Sequence, residues 1–522
     1  MKKALWVCLL LFSNLIIAQE LATINGKVLD DQDNPIPFAS VYVGELQKGN
    51  AANENGEFTI TNVPYGNWNI FASAVGFKTV SVKININSAQ INGVTFQLEV
   101  DSELDAVEVF GNRYSHPDKI EALTRLPLEP YEQIQSISII GEKVIEDQGA
   151  LTISQATKNV PGVYTFATYG NKRESMSSRG FRGIPILKNG VRVHSDFRGV
   201  GILTDMQGVD NIQVLKGSAS ITQGVATDLG SPGGVVNIVT KTPKYQFGGN
   251  ASLRVGSFGQ VRPTFDVYGP LDKKKNVAFR LNGALERADS YRSMISSERF
   301  YINPSLQWRI DDKTKVTLEM DHFNDARTPD VGTVNLGENN VNAIYDLPYN
   351  QYLGFENDRS ITENTTYSLR FDRALSDKLT LKGAFYKSEL DLNDKGSSLG
   401  GAIDVEGETM YNLRQRGYSN STRSDNNSVV QFDLIGDEVA TGSIKHTFQV
   451  GFDYRTTDFS TRSESMSVVD TIDVFSANSH NLPSISFGNA RVSSGKSKSI
   501  GFVAQDVISF TDWFKTFLGV RY

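Results

Sequence analysis

Soft ligands and nucleophiles are scarce in this chain of 522 residues. Its five histidines, His116, His194, His322, His446 and His480, are scattered without ligand spacing, and no His-x-x-Glu zinc motif occurs. Cys8 is the only cysteine. No Walker-type phosphate loop is present, and no nucleophile–base set rises above background. The chain therefore reads as no enzyme, with no resident metal or cofactor. One short piece offers chemistry of another kind. Leu104-Asp105-Ala106-Val107-Glu108-Val109 is a bare strand with nothing local to pair with. Its backbone groups could extend the edge of another protein's sheet; equally, it could be the last strand of the domain before it.

The first residues fix the compartment. Lys2 and Lys3 precede an apolar run from Ala4 to Ile17, broken only by Ser13 and Asn14, and Ala18 stands before Gln19. Residues 1–18 read as a cleaved signal peptide, too short to span a bilayer of about 30 Å. Cys8 lies inside it, so the mature protein is expected to hold no thiol and no disulfide. No later run looks like a transmembrane helix. An exported chain is then either soluble or a membrane β-barrel, whose strands carry a weaker hydropathy signal. The net charge of −7 implies no pull toward nucleic acid.

Composition shifts divide the rest. Residues 21–100 read as about seven short alternating strands, a β-sandwich. Residues 101–130 are polar and proline-punctuated, a flexible linker carrying Leu104–Val109. Residues 131–243 are mixed α/β. Glu142 to Val160 has helical spacing closed by Pro161-Gly162; Met176 to Phe181, Ile184 to Asn189, Ile212 to Leu215 and Val235 to Thr240 read as strands. Residues 244–522 repeat alternating segments: Phe247 to Val255, Arg262 to Gly269, Val277 to Arg287, Phe300 to Ile310, Lys315 to Phe323, Thr366 to Arg373, Leu379 to Tyr386, Val429 to Leu434, Lys445 to Tyr454, Ile500 to Phe510 and Lys515 to Tyr522. Short turns such as Ser376-Asp377-Lys378 alternate with long polar loops, Asn324 to Ile361 and Ser460 to Ser497. That asymmetry marks an outer-membrane barrel.

Motifs then carry a resemblance. "INGKVLDDQDNPIPFASVYV" and "NENGEFTITNVPYGNWNIFASAVGF" resemble the carboxypeptidase-regulatory-like sandwich that precedes many receptors of Bacteroidetes-type bacteria. "IEDQGALTISQATKNVPGVYTF", "SSRGFRG", "ILKNGVRV", "VDNIQVLKGSASITQG" and "GSPGGVVNIVTKTP" follow in the order of a TonB-dependent receptor plug. Arg179, Gly180 and Phe181, with Lys216, Gly217, Gly233 and Gly234, are its motif residues and resemble the siderophore-type branch. Gln213, Ser218 and Thr222-Gln223 depart from the family pattern, and the carboxylate missing at Gln213 puts one plug-to-barrel ion pair in doubt.

The resemblance implies a mainly β protein: sandwich, α/β plug and transmembrane antiparallel β-barrel in the outer membrane of a Gram-negative bacterium. It makes Leu104, Asp105, Ala106, Val107, Glu108 and Val109 a TonB box, gripped by TonB with ExbB and ExbD. It implies that Arg179, Arg182 and Lys216 seal the plug through wet contacts, each contributing of order 1 kcal/mol. The implied cargo is a ferric siderophore, whose iron arrives already chelated. Its implied ligands are Tyr169, Lys172 and Arg173 on one plug loop and His194, Phe197 and Arg198 on a second. Haem, cobalamin, a peptide or an oligosaccharide is the alternative cargo, and a surface-binding or adhesive protein the alternative class. The family barrel has about 22 strands, whereas the residues after the plug suffice for about a dozen. Truncation is therefore expected, since half a barrel leaves two lipid-exposed edges.

Overall fold

The computed structural model describes residues 21–98, 119–192, 204–217, 233–337 and 341–522, apart from 45, 47, 75, 76, 78 and 512. The expected signal peptide over residues 1–18, Leu104–Val109, His194, Phe197 and Arg198 lie outside the described residues. The chain divides into two compact units, Met1–Ser115 and His116–Tyr522.

In the first unit, alternating sequence makes seven strands: β1 (Leu21–Asp30), β2 (Ser40–Val43), β3 (Lys48–Ala51), β4 (Glu57–Pro64), β5 (Gly66–Ser73), β6 (Val80–Ile86) and β7 (Gln90–Leu98). They form two sheets, β4-β1-β7 and β3-β2-β5-β6. Along β4, Phe58, Ile60 and Val63 are buried while Glu57, Thr59 and Thr61 are exposed, the period of a half-buried strand. The two inner faces meet over Ile24, Val28, Val41, Ile70, Phe96 and Leu98. This is the expected sandwich.

The second unit begins with a mixed domain. It contains α1 (Glu121–Thr124), β8 (Ser136–Gly141), α2 (Glu142–Asp147), α3 (Ile153–Ala156), β9 (Val163–Ala167), β10 (Ser175–Ser178), β11 (Phe181–Arg182), β12 (Ile186–Lys188), β13 (Val191–Arg192), β14 (Val209–Lys216) and β15 (Gly234–Thr240). A five-stranded sheet, β13-β12-β15-β14-β8, stands beside a small one, β11-β10-β9. Two expectations need correction. The helix over Glu142 to Val160 is two short helices, because Gly149 takes φ +61° and Thr152 caps a fresh start by accepting from Gln155 N–H. Met176 to Phe181 is not one strand: Arg179 and Gly180, at φ +51° and +83°, make the two-residue turn of a β10–β11 hairpin. A third correction concerns the linker. Its last part, residues 119–130, is packed: Ile120 and Leu123 are buried against Leu187, Leu215 and Val235.

Eleven antiparallel strands follow in chain order: β16 (Gly248–Val255), β17 (Val261–Pro270), β18 (Val277–Asp289), β19 (Ser296–Asp311), β20 (Thr314–Arg327), β21 (Arg359–Ser376), β22 (Leu379–Val405), β23 (Glu408–Thr441), β24 (Ile444–Asp473), β25 (Arg491–Ser509) and β26 (Lys515–Arg521). The first and last are not paired with each other, so the sheet is an incomplete barrel wall. Thr317, Glu319 and Asp321 of β20 are buried toward the mixed domain, whereas Leu318 points outward, 48% exposed. Tyr367, Phe385, Phe432, Val450 and Phe502 continue that outward band across neighbouring strands. An exposed apolar belt around a polar interior is the pattern that lipid selects. No helix among the described residues is long and apolar enough to cross a membrane.

The loop expected over Ser460 to Ser497 is largely strand, and β22, β23 and β24 run for 27, 34 and 30 residues. A spanning strand needs only about 9–11. These strands therefore project far beyond the belt, into water on both faces. The belt itself is testable. Leu318→Arg should cost about 2–4 kcal/mol of folding stability in lipid vesicles by denaturant titration; a change below about 0.5 kcal/mol would mean that this face does not meet hydrocarbon.

Candidate functional site

One face of the mixed domain ends in the loop between β9 and β10. Tyr169, Gly170 and Asn171 all take positive φ, and Arg173 N–H closes the loop on Thr168 O at 3.1 Å. The loop is pinned to the wall: Lys172 pairs with Asp394 at 2.7 Å, Arg327 donates to Asn171 O at 2.8 Å, and Asp330 N–H donates to Gly170 O at 3.1 Å. A Cβ at Gly170 would meet Asp330 O at 2.8 Å, so glycine is needed there for space as well as for φ. The Arg173 guanidinium stands 5.8 Å from the ring centre of Tyr169. The structure thus brings Tyr169, Lys172 and Arg173 into one fixed loop. The second trio, His194, Phe197 and Arg198, lies outside the described residues.

Above the belt, residues 352–358 are fixed too. Arg416 lies 4.0 Å from the Phe355 ring centre, donates to Gly354 O at 3.2 Å, and pairs with Asp470. Tyr352 donates to Asp358 at 2.6 Å, and Asp358 accepts from Ser397 N–H at 3.0 Å.

The motif residues close the domain rather than seal it. Gly217 N–H donates to Gly233 O at 3.1 Å, with Gly217 and Gly234 at φ +106° and +114°, so Lys216-Gly217 and Gly233-Gly234 finish the β14–β15 ladder. Arg179, Phe181 and Arg182 are exposed; Arg182 lies over the Phe166 ring at 4.9 Å, and Lys216 is half-buried. None of the three cations makes a described contact with the wall. Gln213 is buried within the domain, where it accepts from Asn237 at 3.1 Å. The ion pair in doubt there is therefore not a wall contact in this chain.

The seal lies elsewhere, at buried ion pairs spread from β17 to β24. Asp205 receives Arg262 in a two-pronged contact of 2.5 and 3.0 Å and Arg299 at 3.4 Å. Lys188 pairs with Asp321 at 2.5 Å, and Tyr301 donates to the same carboxylate at 2.6 Å. Lys241 reaches Asp266 at 3.3 Å, while Arg280 grips Asp266 at 2.6 Å. Arg125 donates to Asp433 at 2.5 Å and to Asp453 at 2.9 Å. The sequence reading missed all four plug-side residues. Lys188 sat in a quoted motif without a role, and Arg125 sat in the supposed linker. The usable signal was the row of inward charges in the wall strands, each of which needs a counter-ion.

These pairs correct the expectation of individually weak, wet contacts. Arg262, Lys188, Lys241, Asp205 and Asp321 are all buried. Removing one partner of such a pair leaves a lone charge out of water and costs about 3–5 kcal/mol, whereas releasing both into water costs far less. The seat therefore resists one-sided damage yet can open as a unit.

The strap over 119–132 is seated separately. Besides Arg125, Lys119 pairs with Asp437 at 2.6 Å, Gln505 donates to Thr124 O at 3.2 Å, and Leu126 and Leu128 pack on Val507. It belongs to no β-ladder, so lifting it breaks no strand pairing.

Burial alone would raise the Asp205 carboxyl, but Arg262 and Arg299 outweigh it and hold the group below its ordinary value. A carboxyl lowered on docking stabilises the docked state above its free pKa, and that stability fades as pH falls through the docked value. The contribution of Asp205 should accordingly be flat from pH 7 to about 5 and fade as pH falls further. Asp205→Asn should cost about 3–5 kcal/mol at pH 7 and flatten that acid limb, read by thermal unfolding in detergent. An unchanged acid limb would assign it to other carboxylates.

Three family models match the chain. The CarboxypepD_reg-like domain covers residues 24–109, the TonB-dependent receptor plug domain 129–235, and the TonB-dependent receptor-like β-barrel 303–522. The first match extends through Leu104–Val109. The chain is 30% identical over 396 residues to the Ferrioxamine B receptor of Salmonella typhimurium (strain LT2), covering 73% of this chain and 53% of that protein. It is 23% identical over 403 residues to the catecholate siderophore receptor Fiu of Escherichia coli (strain K12), covering 74% and 52%. The pyoverdine receptor FpvA from Pseudomonas aeruginosa, solved with pyoverdine bound, superposes with a TM-score of 0.68 at 21% identity, over 79% of this chain and 59% of that one. The closed form of Fiu gives 0.68 at 20%, over 78% and 58%. At those identities the likeness is one of fold. The chain spans about half the length of the curated relatives it matches. With a plug seated on a barrel wall, and with family matches over both, the chain belongs to the TonB-dependent receptors, a family of Gram-negative outer-membrane β-barrels.

Proposed function

We propose that the receptor formed by this chain imports a ferric siderophore across the outer membrane. The observation that carries the reading is the plug: a separate domain held in a polar lumen by ion pairs that can open together. A plug of this kind suits cargo too large and too scarce to enter by diffusion. Relatives named as receptors for ferrioxamine B and catecholate siderophores support the cargo class. With Lys172 holding the loop to Asp394, Tyr169 and Arg173 offer a ring and a cation, and a planar, partly anionic iron chelate would meet them by stacking and charge-assisted hydrogen bonds.

No nucleotide is available at the outer membrane, so the work of opening arrives mechanically. In this reading Leu104–Val109 is the grip, adding as a strand to a TonB-type partner driven by ExbB and ExbD. The strap over 119–132 follows it in the chain and receives the pull first, which makes Lys119, paired with Asp437, the first described wall contact under load and Arg125 the next. Uptake without that coupling is the mark of a different class of protein.

Deleting Leu104–Val109 should abolish uptake of a labelled ferric catecholate while leaving its binding to cells intact. Persisting uptake would refute the coupling, and loss of binding would show that the segment belongs to the fold instead. Arg173→Ala should weaken binding of the same probe about tenfold. Unaltered affinity would remove this loop from the cargo site.

A further inference from the structure

The outward face of the projecting strands carries a cavity of about 400 Å³ that no contact above uses. Alternation fixes its side. Ser360, Asn364 and Leu390 are buried toward the plug, and Asp394 reaches the plug's Lys172. Arg359, Asn393 and Lys395 alternate with them and face away. Register sets Arg359 opposite Lys395 and Lys395 opposite Asn420, so three strands contribute to one patch.

The cavity sets unused hydrogen-bonding groups beside an apolar side made by Ile361, Leu482, Ile485 and Phe487. The side chains of Asn357, Asn393 and Asn420 make no described hydrogen bond, and Oδ1 of Asn420 is buried without a partner. Such an orphan costs about 1–3 kcal/mol unless something meets it. Lys395 has no described ion pair, and Arg359 reaches only the exposed Glu298, at 3.5 Å. On one side Tyr418 and Phe487 stack, ring centres 6.4 Å apart and 22° from parallel, giving an aromatic wall. Amides suit hydroxyl groups, an aromatic wall suits the C–H face of a sugar ring, and two cations suit a phosphate. Together they describe a phosphorylated saccharide.

Height selects its source. On β22 the outward apolar run ends at Phe385, about ten residues below Lys395, or roughly 33 Å of strand. At a tilt of about 45° that stands some 23 Å above the belt. Cargo enters through the lumen; the outer face at this height meets the sugars of the surrounding leaflet. We infer that this cavity binds the phosphorylated sugar core of the outer leaflet's own lipopolysaccharide. The inference rests on the chain's place in the outer membrane and not on which cargo it imports.

The purified full chain in detergent would be titrated calorimetrically with delipidated core oligosaccharide from the expression strain. Parallel arms use the dephosphorylated oligosaccharide, intact lipopolysaccharide, inorganic phosphate and a ferric catecholate. The phosphorylated core should bind. Arg359→Gln with Lys395→Gln should weaken it at least tenfold, dephosphorylation should do the same on the unaltered protein, and catecholate binding should not change. Equal affinity for the dephosphorylated core, or binding of intact lipopolysaccharide alone, would overturn the proposal. So would full competition by inorganic phosphate, which would make the cavity a simple anion site. Displacement by the catecholate would return the cavity to the cargo site and overturn it as well.

Discussion

Asp205, buried and gripped from the wall by Arg262 and Arg299, shows the constraint on which the rest of this structure depends. On the proposed function, a domain that fills a barrel and still leaves it can share little apolar packing with the wall, and the shared clusters are small: Leu390 on the plug core, Val191 on Tyr386 and Val429, and Leu126 and Leu128 on Val507. Its contacts have to be strong in place and inexpensive to surrender. Paired charges meet both demands, because water recovers each partner when the two separate and penalises only the loss of one. The wall's inward face is consequently charged where most proteins would be apolar: Asp266, Arg280, Asp321, Asp433 and Asp453 stand where a core would place leucine. The plug has an apolar core around Ile145, Ile212, Val214 and Val236, which the wall joins only through Leu390.

The seat is graded along the chain. The strap over 119–132 lies outside every ladder, whereas β8, β12, β14 and β15 are tied in one sheet. A force arriving from the N-terminal side therefore meets the least cooperative part first. On the opposite face, the plug loop around Gly170 is clamped to Asp330, which Arg292 holds at 3.1 Å. Cargo bound above that loop would bear on backbone already fixed to the wall.

Much of this is legible in the sequence, for identifiable reasons. Lipid outside and water inside impose alternation, so each of the eleven segments read from it falls within a strand to about a residue. Where both faces are wet the alternation vanishes. The polar run of β22 from Lys387 upward, and most of β23 and β24, carries no such period, so the sequence makes those strands look far too short. Turn chemistry is legible only in part: Arg179-Gly180 stands out as a motif, yet its need for two positive φ values makes it a hairpin rather than a strand. Arg125 is hidden because its neighbours, Ile120, Leu123, Leu126 and Leu128, satisfy two different surfaces and so show no single period. The wall's inward charges are visible in the sequence, but the plug residue that each one pairs with, 25 to 328 positions away, is not.

The central claim is that the plug parts from the wall in stages, the strap first, without unfolding the wall. Native-state hydrogen exchange on the detergent-solubilised chain tests it most directly. The account predicts that amides of 119–132 exchange through a low-energy opening, that β14 and β15 exchange later, and that β19–β23 stay protected throughout. A single cooperative exchange event shared by plug and wall would contradict it.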